Sequence, residues 1–188
     1  MPSLAYHDLP PSDLPQLGSI DRAERVDAIY LQQDGNLELR AHVEDVSGWD
    51  PAELAQYVAR LRDVRGAGGA VLGAWDGGRL VGLASLDPRA VGGDPVLMKL
   101  DMLYVDAAHR GRGIGTRLVA LIGARARSHG AAALYVSATP TRRTVDFYRG
   151  LGAQVLASPD PALLEKEPAD IHMVLRLEAG SARPSFAP

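Results

Sequence analysis

The chain has 188 residues and a mass of 20.0 kDa, which suits a single domain. Its 46% hydrophobic and 23% charged residues are typical of a soluble globular protein. It contains no cysteine, so disulfides, zinc–cysteine sites and a cysteine nucleophile are excluded. No apolar run is long enough to span a bilayer, and the N-terminus lacks the basic and apolar regions of a signal peptide. We therefore expect a cytoplasmic protein with no membrane partner.

The net charge of −3 is unevenly distributed along the chain. Residues 1–109 carry seventeen acidic and nine basic side chains, whereas residues 110–149 carry eight arginines and one aspartate. A basic segment in an acidic chain indicates that this segment holds an anionic ligand. Nucleic acid is a poor candidate, because the segment has only three aromatic side chains and the pI of the chain is about 5.9. We therefore expect no nucleic-acid partner.

The N-terminal part of the chain gives the weakest structural signals. Residues 10–13 resemble the start of a helix, residues 21–27 form a charged helix-like stretch, and residues 37–46 alternate like a strand. Asp50 and Pro51 are typical of a helix cap and a first turn. Apolar side chains at positions 54, 58 and 61 would share one face of that helix.

The middle of the chain predicts a hairpin and a central strand. Residues 70–75 and 79–86 flank Asp76-Gly77-Gly78, which suits a tight turn. Residues 96–105 predict the strand, with side chains 96, 98, 100, 102 and 104 on one apolar face. Lys99 and Asp101 interrupt the other face.

The C-terminal half predicts two helices that alternate with two strands. One helix starts at residue 114 with Gly130 as its C-terminal cap, and the other opens at Thr139-Pro140 and ends at Gly152. The strands cover residues 134–138 and 171–177. This alternation predicts a mixed α/β domain over residues 1–178, followed by a disordered tail over residues 179–188.

A glycine-rich turn, Arg110-Gly111-Arg112-Gly113-Ile114-Gly115-Thr116, lies between a predicted strand and a predicted helix. Unpaired N–H groups at a helix N-terminus attract anions, and glycines let a phosphate approach them closely. The spacing rejects a dinucleotide fingerprint, because Thr116 and Leu118 stand where the third glycine is required. A Walker A loop is also rejected, because no lysine lies nearby.

The pattern Arg-x-x-Gly-x-Gly after a Leu-Tyr-Val strand end resembles the GCN5-related N-acetyltransferase (GNAT) superfamily, whose members bind acetyl-CoA. Residues 146–153, Asp-Phe-Tyr-Arg-Gly-Leu-Gly-Ala, resemble the family's Phe-Tyr-x-x-x-Gly helix end. The resemblance covers about residues 71–155. It implies a mostly antiparallel central sheet, splayed at the cofactor site, with helices on both faces. It also implies an acetyl-CoA-binding core over residues 70–156 and a variable acceptor-side part over residues 1–66.

The resemblance implies acetyl-CoA as the cofactor and assigns residues to it. The end of the central strand would pair with the pantetheine arm, and main-chain N–H groups of the glycine turn would hold the pyrophosphate. The side chains of Arg110 and Arg112 would add positive charge. The implied cofactor-binding residues are Leu103, Tyr104, Val105, Arg110, Gly111, Arg112, Gly113, Ile114, Gly115, Thr116 and Thr141, the last at a position where many members have asparagine.

Acetyl transfer to an amine needs a base for the ammonium group and an acid for the departing thiolate. Tyr148 occupies the family's tyrosine position, which implies the acid; the alternative is a core aromatic whose hydroxyl bonds to backbone. Asp101 lies on the more polar strand face and is the candidate base; the alternative is a surface aspartate paired with Lys99. The five histidines have no metal-ligand spacing, so we expect no metal site.

The resemblance implies an acetyl-CoA-dependent N-acetyltransferase that acts on a primary amine, and we expect a small-molecule acceptor. Residues 21–27, Glu44, Asp45 and Asp50 either form an acidic rim suited to a cationic amine or are an ordinary solvated surface. The alternative function is a non-catalytic acyl-CoA-binding module or sensor with the same fold. Dimers are common in the family, so a homodimer stays open.

Overall fold

The computed structural model describes residues 4–33 and 36–177. In these residues the strands are β1 (Ala5–Asp8), β2 (Glu24–Gln33), β3 (Asn36–Val46), β4 (Ala70–Asp76), β5 (Arg79–Val91), β6 (Asp94–Val105), β7 (Ala133–Ala138), β8 (Gln154–Val155) and β9 (Ile171–Arg176). The α-helices are α1 (Pro51–Gly66), α2 (Ile114–Ser128), α3 (Arg142–Gly150) and α4 (Pro161–Lys166). Two 3₁₀ helices cover Pro11–Ser19 and Ala107–His109. The tail predicted for residues 179–188 lies outside the described residues.

Seven strands form one sheet in the order β1-β4-β5-β6-β7-β9-β8, and β2 and β3 form a separate two-stranded sheet. Within the described residues, every strand pair is antiparallel except β6–β7. Helices α2 and α3 pack on one face of the large sheet, and α1 packs on the other with the longer 3₁₀ helix. The predicted mixed α/β architecture is therefore confirmed. No helix in this part of the chain is long and apolar enough to cross a membrane.

Local sequence signals place the first helix and the hairpin as predicted. The Asp50 side chain caps α1 by accepting hydrogen bonds from the N–H groups of Ala52 and Glu53, at 2.9 and 3.0 Å. Gly77 and Gly78 have φ values of 57° and 87°, as a two-residue turn between β4 and β5 requires. Both predictions are confirmed.

The N-terminal segments match their predictions only in part. Residues 21–27 are not helical, because β2 begins at Glu24 and buries Val26 and Ala28 with the period of a strand. Residues 10–13 do open a helix, as expected, and it is a 3₁₀ helix with Pro15 inside it. Strands β1 and β8 and helix α4 have no counterpart among the sequence predictions.

A β-bulge at Asp101 shifts the alternation of side chains along β6. Side chains before and after the bulge therefore pack against different helices. Ser85 of β5 pairs with Met102, and Leu86 pairs with Leu100, which leaves Asp101 without a partner. Leu100 belongs to the core beside α2, whereas Met102 belongs to the core beside α1. The prediction that alternate residues 96–104 share one face is therefore wrong, because the bulge shifts the alternation.

Strands β6 and β7 separate towards their C-terminal ends. Their parallel pairing joins only residues 97–99 to residues 133–135, although β6 continues to Val105 and β7 to Ala138. The backbone groups on the facing edges beyond this pairing are available to an extended ligand. The sheet therefore has the splay that the family resemblance implies.

Candidate active site

The separation of β6 and β7 opens a cleft of about 660 Å³. The N-terminus of α2 and helix α3 line one side of it, and α1 and the segment between α4 and β9 line the other. Of the thirteen site residues predicted from the sequence, Arg112 does not line the cleft. The other twelve do: Asp101, Leu103, Tyr104, Val105, Arg110, Gly111, Gly113, Ile114, Gly115, Thr116, Thr141 and Tyr148.

The turn before α2 presents backbone donors to the cleft. The N–H group of Arg117 donates to the carbonyl oxygen of Gly113 at 3.0 Å, so the N–H groups of residues 114–116 precede the first helical bond. Gly111 and Gly113 both have a φ of 76°, which strains residues with a Cβ. A Cβ built on either glycine meets no atom within 4 Å, so the space in front of the turn is open. The turn therefore has the geometry of an anion cradle.

Most arginines of the basic segment bond to other parts of the protein. Arg110 donates to the backbone oxygens of Val105 and Ala23 at 3.2 and 2.8 Å, which ties the end of β6 to the chain before β2. The ion pairs are Arg112 with Asp76, Arg125 with Asp8, Arg142 with Asp27, Arg143 with Glu24 and Arg149 with Asp146. The Arg112 side chain turns towards Asp76 at the end of β4, and its contact with a phosphate stays a prediction. The donors that the turn itself presents are its backbone N–H groups.

Helix α3 closes the same side of the cleft. The Thr141 hydroxyl caps it by accepting a hydrogen bond from the N–H of Thr144 at 3.3 Å. The helix consequently starts two residues beyond Pro140, later than predicted. A Cβ built on Gly115 would lie 3.3 Å from the ring of Phe147, so the two sequence motifs are in contact.

Tyr148 combines a buried ring with a hydroxyl that lacks a partner. Its side chain is 6% exposed, and its hydroxyl makes no hydrogen bond within residues 4–33 and 36–177. The alternative of a core aromatic bonded to backbone therefore does not describe this residue. Burial raises the pKa of Tyr148, so the hydroxyl keeps its proton at neutral pH.

Asp101 reaches the cleft from the bulge of β6, on the α1 side. Arg60 of α1 donates from Nε to both carboxylate oxygens at 2.9 and 3.0 Å, and the Asp101 side chain is 3% exposed. Lys99 instead donates to Glu167, at 2.7 Å. The alternative of an Asp101–Lys99 surface pair is therefore wrong. A guanidinium that occupies both oxygens orients this carboxylate.

Two cleft carboxylates, Glu167 and Asp170, were missed by the sequence analysis. Burial opposes the ionisation of Glu167, but hydrogen bonds from Lys99 and Ser137 and the charges of Lys99 and Arg60 lower its pKa to about 2. The pKa of Asp170 is raised, first by burial and then by the charge of Glu167. No local pattern marks these residues, because their position depends on how α4 folds back towards β6. No group of three or more metal-binding side chains occurs in the described chain.

An aromatic cluster of Trp49, Tyr57 and Tyr104 forms beside the cleft on the α1 side. The Arg22 guanidinium lies 4.4 Å from the centroid of the Trp49 ring and also pairs with Glu53. The Trp49 and Tyr104 rings are 5.0 Å apart in an edge-to-face arrangement. This cluster fixes the end of β6, and the sequence analysis did not predict it.

The acidic rim considered in the sequence analysis is not assembled in the structure. Asp50 is used as the cap of α1, and Glu44 and Asp45 are exposed on β3. Of residues 21–27, only Arg22 and Glu24 line the cleft. The carboxylates at the cleft are instead Glu24, Asp101, Glu167 and Asp170.

The splayed sheet, the anion cradle and the buried tyrosine together define a protein of the acetyltransferase class. The chain belongs to the acetyltransferase (GNAT) family, whose family model matches residues 30–153. The resemblance noted in the sequence and the fold class that it implies are therefore confirmed. No curated protein matches the chain in sequence.

Solved structures of acetyltransferases share this fold. Nourseothricin acetyltransferase is similar with a TM-score of 0.70 and 18% identity, over 93% of this chain and 98% of that chain. A putative streptothricin acetyltransferase from Bacillus anthracis str. Ames, in complex with acetyl coenzyme A, has a TM-score of 0.62 and 16% identity, over 92% and 95%. An aminoglycoside 6'-N-acetyltransferase complexed with coenzyme A has a TM-score of 0.53 and 20% identity, over 73% and 84%.

Proposed function

We propose that the protein transfers the acetyl group of acetyl-CoA to the primary amine of a small molecule. The observation that carries this proposal is the meeting of three features in one cleft: the free edge of β6, the donors of the glycine turn and the Tyr148 hydroxyl. Family membership supports acetyl transfer. Similar structures named as complexes with acetyl-CoA or CoA support the donor, and those named for nourseothricin and aminoglycoside support the acceptor class. We assign this activity to one domain over residues 1–178, with its cofactor core in residues 70–156.

The residues in the cleft fit acetyl-CoA. Leu103, Tyr104 and Val105 lie on the part of β6 that has no β7 partner, so their backbone groups suit the amides of a pantetheine arm. The N–H groups of residues 111–116 suit a pyrophosphate, because they lie at a helix N-terminus and the Cβ positions of Gly111 and Gly113 are open. Bound acetyl-CoA supplies a thioester whose carbonyl carbon accepts the amine.

The side chains of the cleft then transfer two protons, one taken from the ammonium group and one given to the thiolate. An amine with a pKa of about 10.4 is mostly protonated at neutral pH, so a base must take its proton. Tyr148, whose hydroxyl is protonated at neutral pH, donates to the departing thiolate. Asp101 stays a candidate base, but the bidentate contact with Arg60 favours a role in positioning.

Release of free thiol from acetyl-CoA tests the proposed function. The purified protein is incubated with acetyl-CoA and separately with spermidine, kanamycin, nourseothricin and lysine amide. We expect thiol release with at least one amine, together with a product that is heavier by one acetyl group. Acetyl-CoA binding without release for every amine would instead indicate a non-catalytic acyl-CoA-binding module or sensor.

A further inference from the structure

Asp170 lies beside the mouth of the splay, on the opposite side of the cleft from Tyr148. The next residue, Ile171, pairs with Ala138, the last residue of β7, so Asp170 is level with the end of that strand. Its backbone N–H donates to the carbonyl oxygen of Glu167 at 3.2 Å, which closes a short turn before β9. This turn carries the carboxyl group of Asp170 to the cleft.

Asp170 differs from Asp101 and Glu167, the carboxylates beside it on the same wall of the cleft, because no ion pair within the described residues holds it. Asp101 is held by Arg60, and Glu167 is held by Lys99 and lies 3.4 Å from Arg60. Among the described residues, the ion pairs on this side of the cleft join Arg60 and Lys99 to Asp101 and Glu167 and leave Asp170 out. The wall therefore offers a cation one carboxylate that is not already neutralised.

A second polar group lines the same end of the cleft. The Ser137 hydroxyl oxygen is buried and faces the carboxylate of Glu167, where it helps to lower the pKa of that group. Ser137 pairs with His172 across β7 and β9, and Asp170 lies two residues before His172 in the chain. Ser137 and Asp170 therefore make this end of the cleft polar.

We propose that Asp170 binds the ammonium group of the acceptor and takes its first proton, a role that rests on the proposed function. The nitrogen lone pair then forms the C–N bond to the acetyl carbonyl carbon, and the C–S bond breaks with its electron pair on sulfur. Tyr148 gives its proton to the thiolate and regains one from the nitrogen. The proton on Asp170 passes to solvent, so one ammonium and one thioester give one amide, one thiol and one proton. The acceptor class is a primary alkylammonium compound.

The electrostatic surroundings of Asp170 suit this role. Burial and the charge of Glu167 raise its pKa, while His172, Lys99 and Arg60 lower it, and the net effect is a raised pKa. A carboxylate with a raised pKa is a better proton acceptor at neutral pH than an ordinary surface aspartate. The titration of Asp170 should therefore govern the acidic limb of the pH–rate profile.

The test compares Asp170→Asn with Asp45→Asn, an exposed aspartate on β3 outside the cleft. With the amine that the wild type acetylates fastest, we expect Asp170→Asn to lower kcat/KM by about 10²- to 10⁴-fold and to remove the acidic limb. The acetyl-CoA Kd stays unchanged in both variants, and Asp45→Asn keeps wild-type kinetics. Because an ionised Asp170 is disfavoured in the folded state, Asp170→Asn should not lower stability at pH 7.

A second readout does not depend on turnover. Calorimetry measures the binding of each amine of the panel to the CoA-loaded protein, which has no acetyl group to transfer. We expect Asp170→Asn to lose affinity for the amine that the wild type binds. Equal amine affinity in the two proteins, or an unchanged acidic limb, overturns the assignment of Asp170. Absence of thiol release by the wild type with every amine overturns the proposed function instead, and calorimetry then still decides the role of Asp170.

Discussion

Arg60 holds the carboxylate of Asp101 from across the cleft wall, through Nε at 2.9 and 3.0 Å from the two oxygens. The contact joins helix α1 to the bulged residue of β6, so it fixes the strand where it leaves β7. The Asp101 side chain is 3% exposed and that of Arg60 is 26% exposed. A carboxylate so deeply buried depends on its partner for compensation.

Replacing Arg60 by methionine should destabilise the protein, because the Asp101 carboxylate then stays buried without its partner. We expect a loss of about 3 kcal/mol in the free energy of unfolding. Urea unfolding measures it, with Arg62→Met as the matched control, since Arg62 is exposed on the same helix. The double variant Arg60→Met/Asp101→Asn should recover part of the loss. Equal stability of Arg60→Met and Arg62→Met would contradict a structural role for the Arg60–Asp101 pair.

Asp101→Asn also tests the catalytic role predicted from the sequence. If Asp101 orients the cleft wall rather than accepting a proton, this variant keeps the acidic limb of the pH–rate profile and loses activity evenly across pH. Loss of that limb would restore Asp101 as the base. The measurement is kcat/KM against pH for Asp101→Asn and for wild type, with the same amine.

Tyr148→Phe should lower turnover by about 10²- to 10⁴-fold, because the departing thiolate loses its proton donor. Acetyl-CoA affinity should not change, since the hydroxyl has no partner in the described chain and the ring stays in place. Tyr30→Phe is the control, because its hydroxyl bonds to Asp146 outside the cleft. Unchanged turnover in Tyr148→Phe, with acetyl-CoA binding intact, would remove the tyrosine from the mechanism.

Gly113→Ala should weaken acetyl-CoA binding beyond its effect on stability. Gly113 has a φ of 76°, and Gly93, in the turn between β5 and β6, has a φ of 77° with nothing within 4 Å of a built Cβ. Both alanine variants should lose about 1 kcal/mol of stability, because each places a Cβ in the left-handed region. Only Gly113→Ala adds a methyl group in front of the cradle, so calorimetry should show a raised acetyl-CoA Kd for that variant. Equal acetyl-CoA affinity in the two variants would argue against the cradle.

Local chemistry made the cofactor side of the cleft predictable from the sequence. The glycine turn needs left-handed residues and a helix start, and both requirements are visible in the order of Gly111, Gly113 and the apolar residues after them. Gly115 contacts Phe147, which joins the glycine turn to the Phe-Tyr motif of α3. Each of these motifs is recognisable in the sequence from its own residue spacing. The cap of α1 at Asp50 follows from the same kind of local rule.

The acceptor side was not predictable, because it depends on contacts between distant segments. The bulge at Asp101 exists only through the register with β5, and it reverses which side chains of β6 face α1. Glu167 is placed by Lys99 and Arg60, which lie 68 and 107 residues away in sequence. Residues 21–27 were misassigned because Val26 is the one buried side chain among them, too few to reveal the period of β2 in the sequence.

Acid should weaken the protein through Glu167, and the sign follows from its lowered pKa. The folded-state pKa is about 2 against an ordinary value of 4.5, so the ionised form stabilises the fold above pH 4.5. This contribution is lost as the pH falls from 4.5 towards 2. Because Glu167→Gln lacks the ionisable group, its urea midpoint should lie below that of wild type at pH 6, with the gap closing towards pH 2. Glu165→Gln, an exposed change on α4, controls for general charge effects. A gap that stays constant between pH 6 and pH 2 would show that the ion pair with Lys99 does not stabilise the fold.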